Sequence, residues 1–139
     1  MMNNNISLRD GLDNRRERII LLYQIYLLEY DLDQVLEILY NHTEFNFTDD
    51  QIKVIKIILE NKDSLEKQLI NYLPQNWKWS RFGNFEKAIL LDSTAELTLF
   101  KVDKAIIINE AVEFAKEYCD LKTPALINGI LDNFNKKVQ

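Results

Sequence analysis

Residues 15–30, Arg15-Arg16-Glu17-Arg18-Ile19-Ile20-Leu21-Leu22-Tyr23-Gln24-Ile25-Tyr26-Leu27-Leu28-Glu29-Tyr30, decide the fold class. Ile19, Leu22, Tyr23, Tyr26, Leu27 and Tyr30 recur at i, i+3, i+4, i+7, i+8 and i+11, the stripe of a helix lying on a core. Ile20, Leu21, Ile25 and Leu28 add apolar groups on the remaining faces. The spacing therefore predicts a first helix packed on several sides, a central element of the fold.

Outward from this stretch the helical period continues. Leu32, Val35, Leu36 and Leu39 predict a short second helix over 32–40, and residues 41–47 break it. Thr48-Asp49-Asp50-Gln51 reads as a capping box, with two acids at the positive end of the helix it opens. That helix is predicted to run from Asp49 to Tyr72, with Pro74 beyond it. Trp77, Trp79 and Phe82 crowd the next connector and are read as packing anchors for a chain crossing. Asn84 is the expected cap of a helix over 85–100. Ile108, Ala111, Val112, Ala115, Tyr118 and Cys119 mark the apolar stripe of another. Thr123-Pro124 is expected as N-cap and first helical residue of the last helix, which runs to about Phe134. Residues 1–13 show no apolar period and are expected to form a flexible tail, leaving 14–139 as one domain. The result is an all-α bundle of six to seven helices.

Composition closes off other classes. The chain has 139 residues, 47% hydrophobic and 28% charged, enough for one globular domain to bury a core unaided. Three glycines and two prolines are too few for hairpins or phosphate loops. Cys119 and His42 are the only cysteine and histidine, so a disulfide, a thiolate zinc site and a His-rich metal centre are excluded, and no cofactor is expected. Nucleotide-binding, zinc-protease and hydrolase signatures are absent, so no catalytic residue is assigned. His42 is read as a solvated loop residue and Cys119 as a small hydrophobe. The apolar run 19–28 is about half the ~20 residues a bilayer requires, and the polar start Met1-Met2-Asn3-Asn4-Asn5 is no secretory signal. No membrane partner and a cytoplasmic location are expected.

The net charge is −5, and the acidic excess lies wholly within residues 31–100. Both ends are neutral, so a local basic site can exist at either. Arg15, Arg16 and Arg18 stand at the start of the first helix, where the macrodipole is already positive. Two readings stay open there: a phosphate site built from guanidinium groups and free amides, or a solvated end neutralised by Glu17, Asp10 and Asp13. Gly129 in the last helix suggests close approach of another backbone. Glu96, Asn109 and Glu110, beside apolar stripes, suggest a buried hydrogen-bonded joint.

Four blocks carry a family resemblance: Phe85-Glu86-Lys87-Ala88-Ile89-Leu90, Ala95-Glu96-Leu97, Ile108-Asn109-Glu110-Ala111-Val112-Glu113-Phe114-Ala115-Lys116 and Ile127-Asn128-Gly129-Ile130-Leu131-Asp132. In this order they resemble the NusB family of transcription antitermination factors, as do the arginine-bearing first helix and the connector from Trp77 to Arg81. The resemblance implies two packed three-helix halves without catalysis. It implies two ligands, the boxA element of nascent ribosomal RNA transcripts and the ribosomal protein NusE, within the RNA polymerase antitermination complex. Arg15 would contact RNA phosphate with Arg16 and Arg18 as neighbours, Lys104 and Lys122 being further basic candidates. Tyr23 and Glu86 would face NusE. Some relatives self-associate, so a homodimer hiding the arginines is a further state.

The chain departs from the family pattern at four places. Leu12, Asp13 and Asn14 stand where basic residues are usual, and Leu91 and Asp92 where an arginine and an apolar residue are usual. Asp103-Lys104-Ala105 replaces P-x-K, and Ala125-Leu126 replaces a Lys-Phe pair whose aromatic ring could stack on a base. Two alternatives accompany the antitermination reading: a NusB-like adaptor that acts through protein contacts with weak RNA binding, and an accessory domain of a ribosomal RNA methyltransferase.

Overall fold

A computed structural model describes residues 10–41 and 44–134; His42 and the final residues of the expected domain lie outside these. Among the described residues there are seven α-helices of eight or more residues and no strand. They are α1 Arg15–Leu28, α2 Leu32–Asn41, α3 Asp49–Glu60, α4 Lys62–Ile70, α5 Asn84–Thr98, α6 Lys104–Tyr118 and α7 Thr123–Asp132, with a 3₁₀ turn at Trp79–Arg81. The expected all-α class is the observed one.

The central element is α5. It packs on α1, α4, α6 and α7, and every residue from Ala88 to Glu96 is buried. A helix enclosed on all sides has no polar face, which is why its sequence is nearly aperiodic. Helix α1, expected to be central, instead docks on α5 along Arg18, Ile19, Leu21, Leu22 and Ile25, and leaves Leu27 and Leu28 exposed. Helices α5, α6 and α7 pack mutually, whereas α2, α3 and α4 follow one another in series.

The helix ends follow local chemistry. At Thr48 the capping box forms as read: its hydroxyl accepts the Gln51 amide at 3.1 Å, and the Gln51 side chain accepts the Thr48 amide at 2.9 Å. The single helix expected from Asp49 to Tyr72 is two. Asn61 leaves helical geometry at φ −106°, ψ 9°, and its side-chain amide donates to the Ile57 carbonyl at 2.8 Å, a local bond that competes with the helix ladder. Helix α5 begins one residue earlier than expected, because Glu86 reaches back to the Gly83 amide at 2.7 Å and makes Gly83 the cap instead of Asn84. At α7 it is Asp120 that caps: its carboxylate accepts the Lys122 and Thr123 amides, which puts Thr123 inside the helix.

Two further expectations are corrected by packing. The buried face of α6 is Ile107, Ala111, Phe114 and Ala115, turned from the expected stripe, so Tyr118 is exposed and Cys119 only half-buried. Gly129 is exposed, and a Cβ there would meet nothing within 4 Å, so among the described residues no backbone approaches it. The close approach occurs at Gly11. A Cβ on Gly11 would lie 2.3 Å from the Asp50 carbonyl oxygen and 2.6 Å from a Val54 methyl, so Gly11 is held against α3; residues 1–9 of the expected tail lie outside the described residues.

The connector residues pack as anchors. Phe82 is buried, with Trp79 5.7 Å from it and 6.2 Å from Tyr26; Trp77 also meets Phe82 but keeps half its surface exposed.

Candidate nucleic-acid interface

The amino end of α1 sends its three arginines in three directions. Asn14 precedes the helix with φ 68° and makes no side-chain cap, so the first turn is shaped by its arginines' partners across the fold. Arg18, on the buried face, points inward. Its Nε donates to Asp92 Oδ1 at 2.5 Å, its Nη2 to Glu96 Oε2 at 2.9 Å, and its Nη1 to the Leu12 carbonyl at 3.0 Å. Arg18, Asp92 and Glu96 side chains are each 1% exposed. A phosphate cannot reach a guanidinium enclosed in this way, so the expected role of Arg18 as a neighbour in RNA contact is corrected: it is a buried structural cation.

Arg15 sits at the edge of the same cluster. Its Nε and Nη2 hold both oxygens of Glu96 at 2.7 and 2.6 Å, the bidentate geometry guanidinium and carboxylate share. Its Nη1 lies 3.6 Å from Glu110 Oε1, and 22% of the side chain remains exposed. The buried joint expected of Glu96, Asn109 and Glu110 is thus real at Glu96, while Asn109 and Glu110 are exposed. Among the described residues no buried side-chain nitrogen or oxygen lacks a hydrogen-bond partner. Burial would raise Glu96, but the hydrogen bond from Arg15, together with Asp92 and Arg18, holds its carboxyl down to about 2. Burial pushes Asp92 up to about 8, against the pull of Arg18 and with the repulsion of Glu96.

Arg16 points outward and is half exposed. Its guanidinium carbon lies 5.5 Å from the ring centres of both Phe114 and Tyr118, and its Nη2 donates to Glu117 Oε1 at 2.6 Å and to the Tyr118 hydroxyl at 3.2 Å. The rings beneath it belong to a ladder that sequence reading missed. Tyr23 stacks on Phe85 at 3.9 Å with planes 4° apart, and Phe85 lies 5.5 Å from Tyr118 and 5.9 Å from Phe114. The ladder joins α1, α5 and α6 beneath the arginine end. Its only signal in the sequence is four aromatic residues on three separate helices.

The remaining expected site residues are placed as follows. Lys104 Nζ donates to the Asp132 and Phe134 carbonyls at 2.6 and 3.0 Å, closing the end of α7 where a cation is favourable. Lys122 is exposed at the start of α7. Tyr23 is half-buried in the ladder. Both Glu86 oxygens are engaged, Oε1 by the Gly83 amide and Oε2 by the Thr123 hydroxyl at 2.8 Å. Beside Arg15 opens a cavity of about 840 Å³, with Leu12, Glu96, Phe100 and Ile106 in its wall. Burial pushes the Cys119 thiol up to about 11, away from the thiolate that reactivity needs. Among the described residues no cluster of three or more metal-ligating side chains occurs, and no helix is long and apolar enough to cross a membrane.

A protein of Sulfurovum sp. is 44% identical over 78 residues, 56% of this chain, and that stretch spans only 59% of the relative's length. A protein of Campylobacter lari is 35% identical over 131 residues, covering 90% of this chain and 95% of the relative. One from Exiguobacterium sp. is 32% identical over 124 residues, 88% of this chain and 94% of the relative. All three carry the name transcription antitermination protein NusB. The family model described as the NusB family matches residues 14–136, from the residue before Arg15 to beyond α7, and with this coverage the chain belongs to the NusB family.

Proposed function

We propose that this protein is a transcription antitermination factor that binds boxA RNA of nascent ribosomal RNA transcripts together with the ribosomal protein NusE. In the RNA polymerase antitermination complex the pair would hold the RNA near the enzyme, suppressing termination and assisting ribosomal RNA maturation. The observation that carries this reading is membership of the NusB family over residues 14–136, with relatives named for antitermination aligned along nearly their whole length.

In this reading Arg16 and the exposed edge of Arg15 meet RNA phosphates, with exposed Lys122 as a further basic contact. Arg18 and Lys104 support the site from within and from the end of α7. Tyr23 and Glu86 lie on the side offered to NusE, and the acidic excess of residues 31–100 complements a basic partner. The action is by binding; no residue is assigned to catalysis.

Fluorescence anisotropy of a labelled boxA RNA, titrated with this protein alone and with equimolar NusE at two salt concentrations, tests the proposal. NusE should tighten binding, and Arg15→Ala with Arg16→Ala should weaken it and flatten its salt dependence. Binding of NusE without measurable RNA affinity would leave a protein-only adaptor, a reading favoured by the carboxylate partner each arginine already has.

A further inference from the structure

Arg16 and Glu117 are each placed against the field of their own helix. Arg16 stands in the first turn of α1, where the dipole is positive, and Glu117 in the last turn of α6, where it is negative. They meet at 2.6 Å with half of each side chain exposed. Glu110, two turns earlier on α6, makes the corresponding approach to Arg15 at 3.6 Å. The carboxylates of α6 thus occupy the guanidinium groups that an RNA phosphate would use.

We propose that Glu117 is an internal counterion that a phosphate must displace from Arg16, and that it thereby limits the affinity of the arginine end for single-stranded RNA. The inference rests on the antitermination reading above and specifies its regulation. A carboxylate oxygen and a phosphate oxygen accept from a guanidinium in similar geometry, so the exchange trades one charge-assisted hydrogen bond for another. The rings of Phe114 and Tyr118 lie equally close to the Arg16 guanidinium and hold it while the acceptor changes. Arg16 is therefore already oriented when RNA arrives, and Glu117 sets what RNA must outcompete. Glu113 provides an internal comparison, because on the same helix its carboxylate pairs with Lys116 and not with an arginine of α1.

The test is a double-mutant cycle read by anisotropy of labelled boxA RNA in the presence of NusE. Glu117→Gln should tighten binding by about 1.5- to fivefold, the range of an exposed ion pair. The gain should vanish in the Arg16→Ala background, and Glu113→Gln should give less than half of it. Unchanged or weaker binding by Glu117→Gln would overturn the inference while leaving the antitermination reading intact, provided that Arg16→Ala still weakens binding. An equal gain without Arg16, or from Glu113→Gln, would reduce the effect to general charge and also overturn it. If the wild-type chain binds no RNA with or without NusE, the antitermination reading fails and this inference with it.

Discussion

Arg18 and Asp92, 74 residues apart, are joined at 2.5 Å inside the protein with 1% of either side chain exposed. The sequence presents them as unrelated, one an arginine in a basic run and the other an acid within an otherwise apolar stretch. Packed together they explain each other, since the Arg18 guanidinium alone would be an unpaired buried charge and Asp92 a buried carboxyl without its donor. Glu96 completes the arrangement by accepting from Arg18 and Arg15 through the same oxygen.

The three arginines therefore differ in what their loss does to stability. Arg18→Ala leaves Asp92 without its main partner and should cost about 3–5 kcal/mol. Arg16→Ala removes an exposed pair and should cost at most about 1 kcal/mol. Urea denaturation followed by circular dichroism separates the two, and equal losses would contradict the burial described here.

The acid cluster gives stability a pH dependence of known sign. Asp92 holds its proton up to about 8 in the folded chain, above an unfolded aspartate at about 3.9, so its stabilising contribution is full below about pH 4 and is lost as pH rises through about 8. Glu96, held down to about 2, contributes above its unfolded value, and that contribution is lost as pH falls through about 2. Between about pH 5 and about pH 8.5 the wild-type Tm should fall, and Asp92→Asn should remove most of that slope. Thermal melts of both proteins across this range check it.

Glycine substitutions should separate the two positions cleanly. Gly129→Ala places a methyl in open space on a helix and should stabilise by about 0.5–1 kcal/mol. Gly11→Ala drives a methyl against the Asp50 carbonyl, which cannot swing aside, and should destabilise by about 1–3 kcal/mol. The change in Tm of each variant has opposite sign.

The two candidate lysines should divide between structure and binding. Lys104→Met removes the ammonium that closes α7 and should cost about 0.5–1 kcal/mol without changing the salt dependence of RNA affinity. Lys122→Ala should leave stability within about 0.5 kcal/mol. In the same anisotropy series it should flatten the slope of log affinity against log salt by about 0.7, one phosphate contact on a single strand.

The sequence by itself determined the all-α class, the Thr48 cap, the anchoring of the connector and the location of a candidate basic site at the start of α1. These are local or periodic properties, written in residues that lie within a few turns of one another. Only the tertiary structure decided that α5 is the enclosed helix, because a stretch buried on every side carries no periodicity to read. It also decided which arginine faces water. Arg15, Arg16 and Arg18 look alike as a run, but about 100° of helical turn per residue sends Arg18 into the core and Arg16 onto Phe114 and Tyr118. Their partners Asp92, Glu96 and Glu117 lie 74 to 101 residues away, and only packing brings such distant charges together.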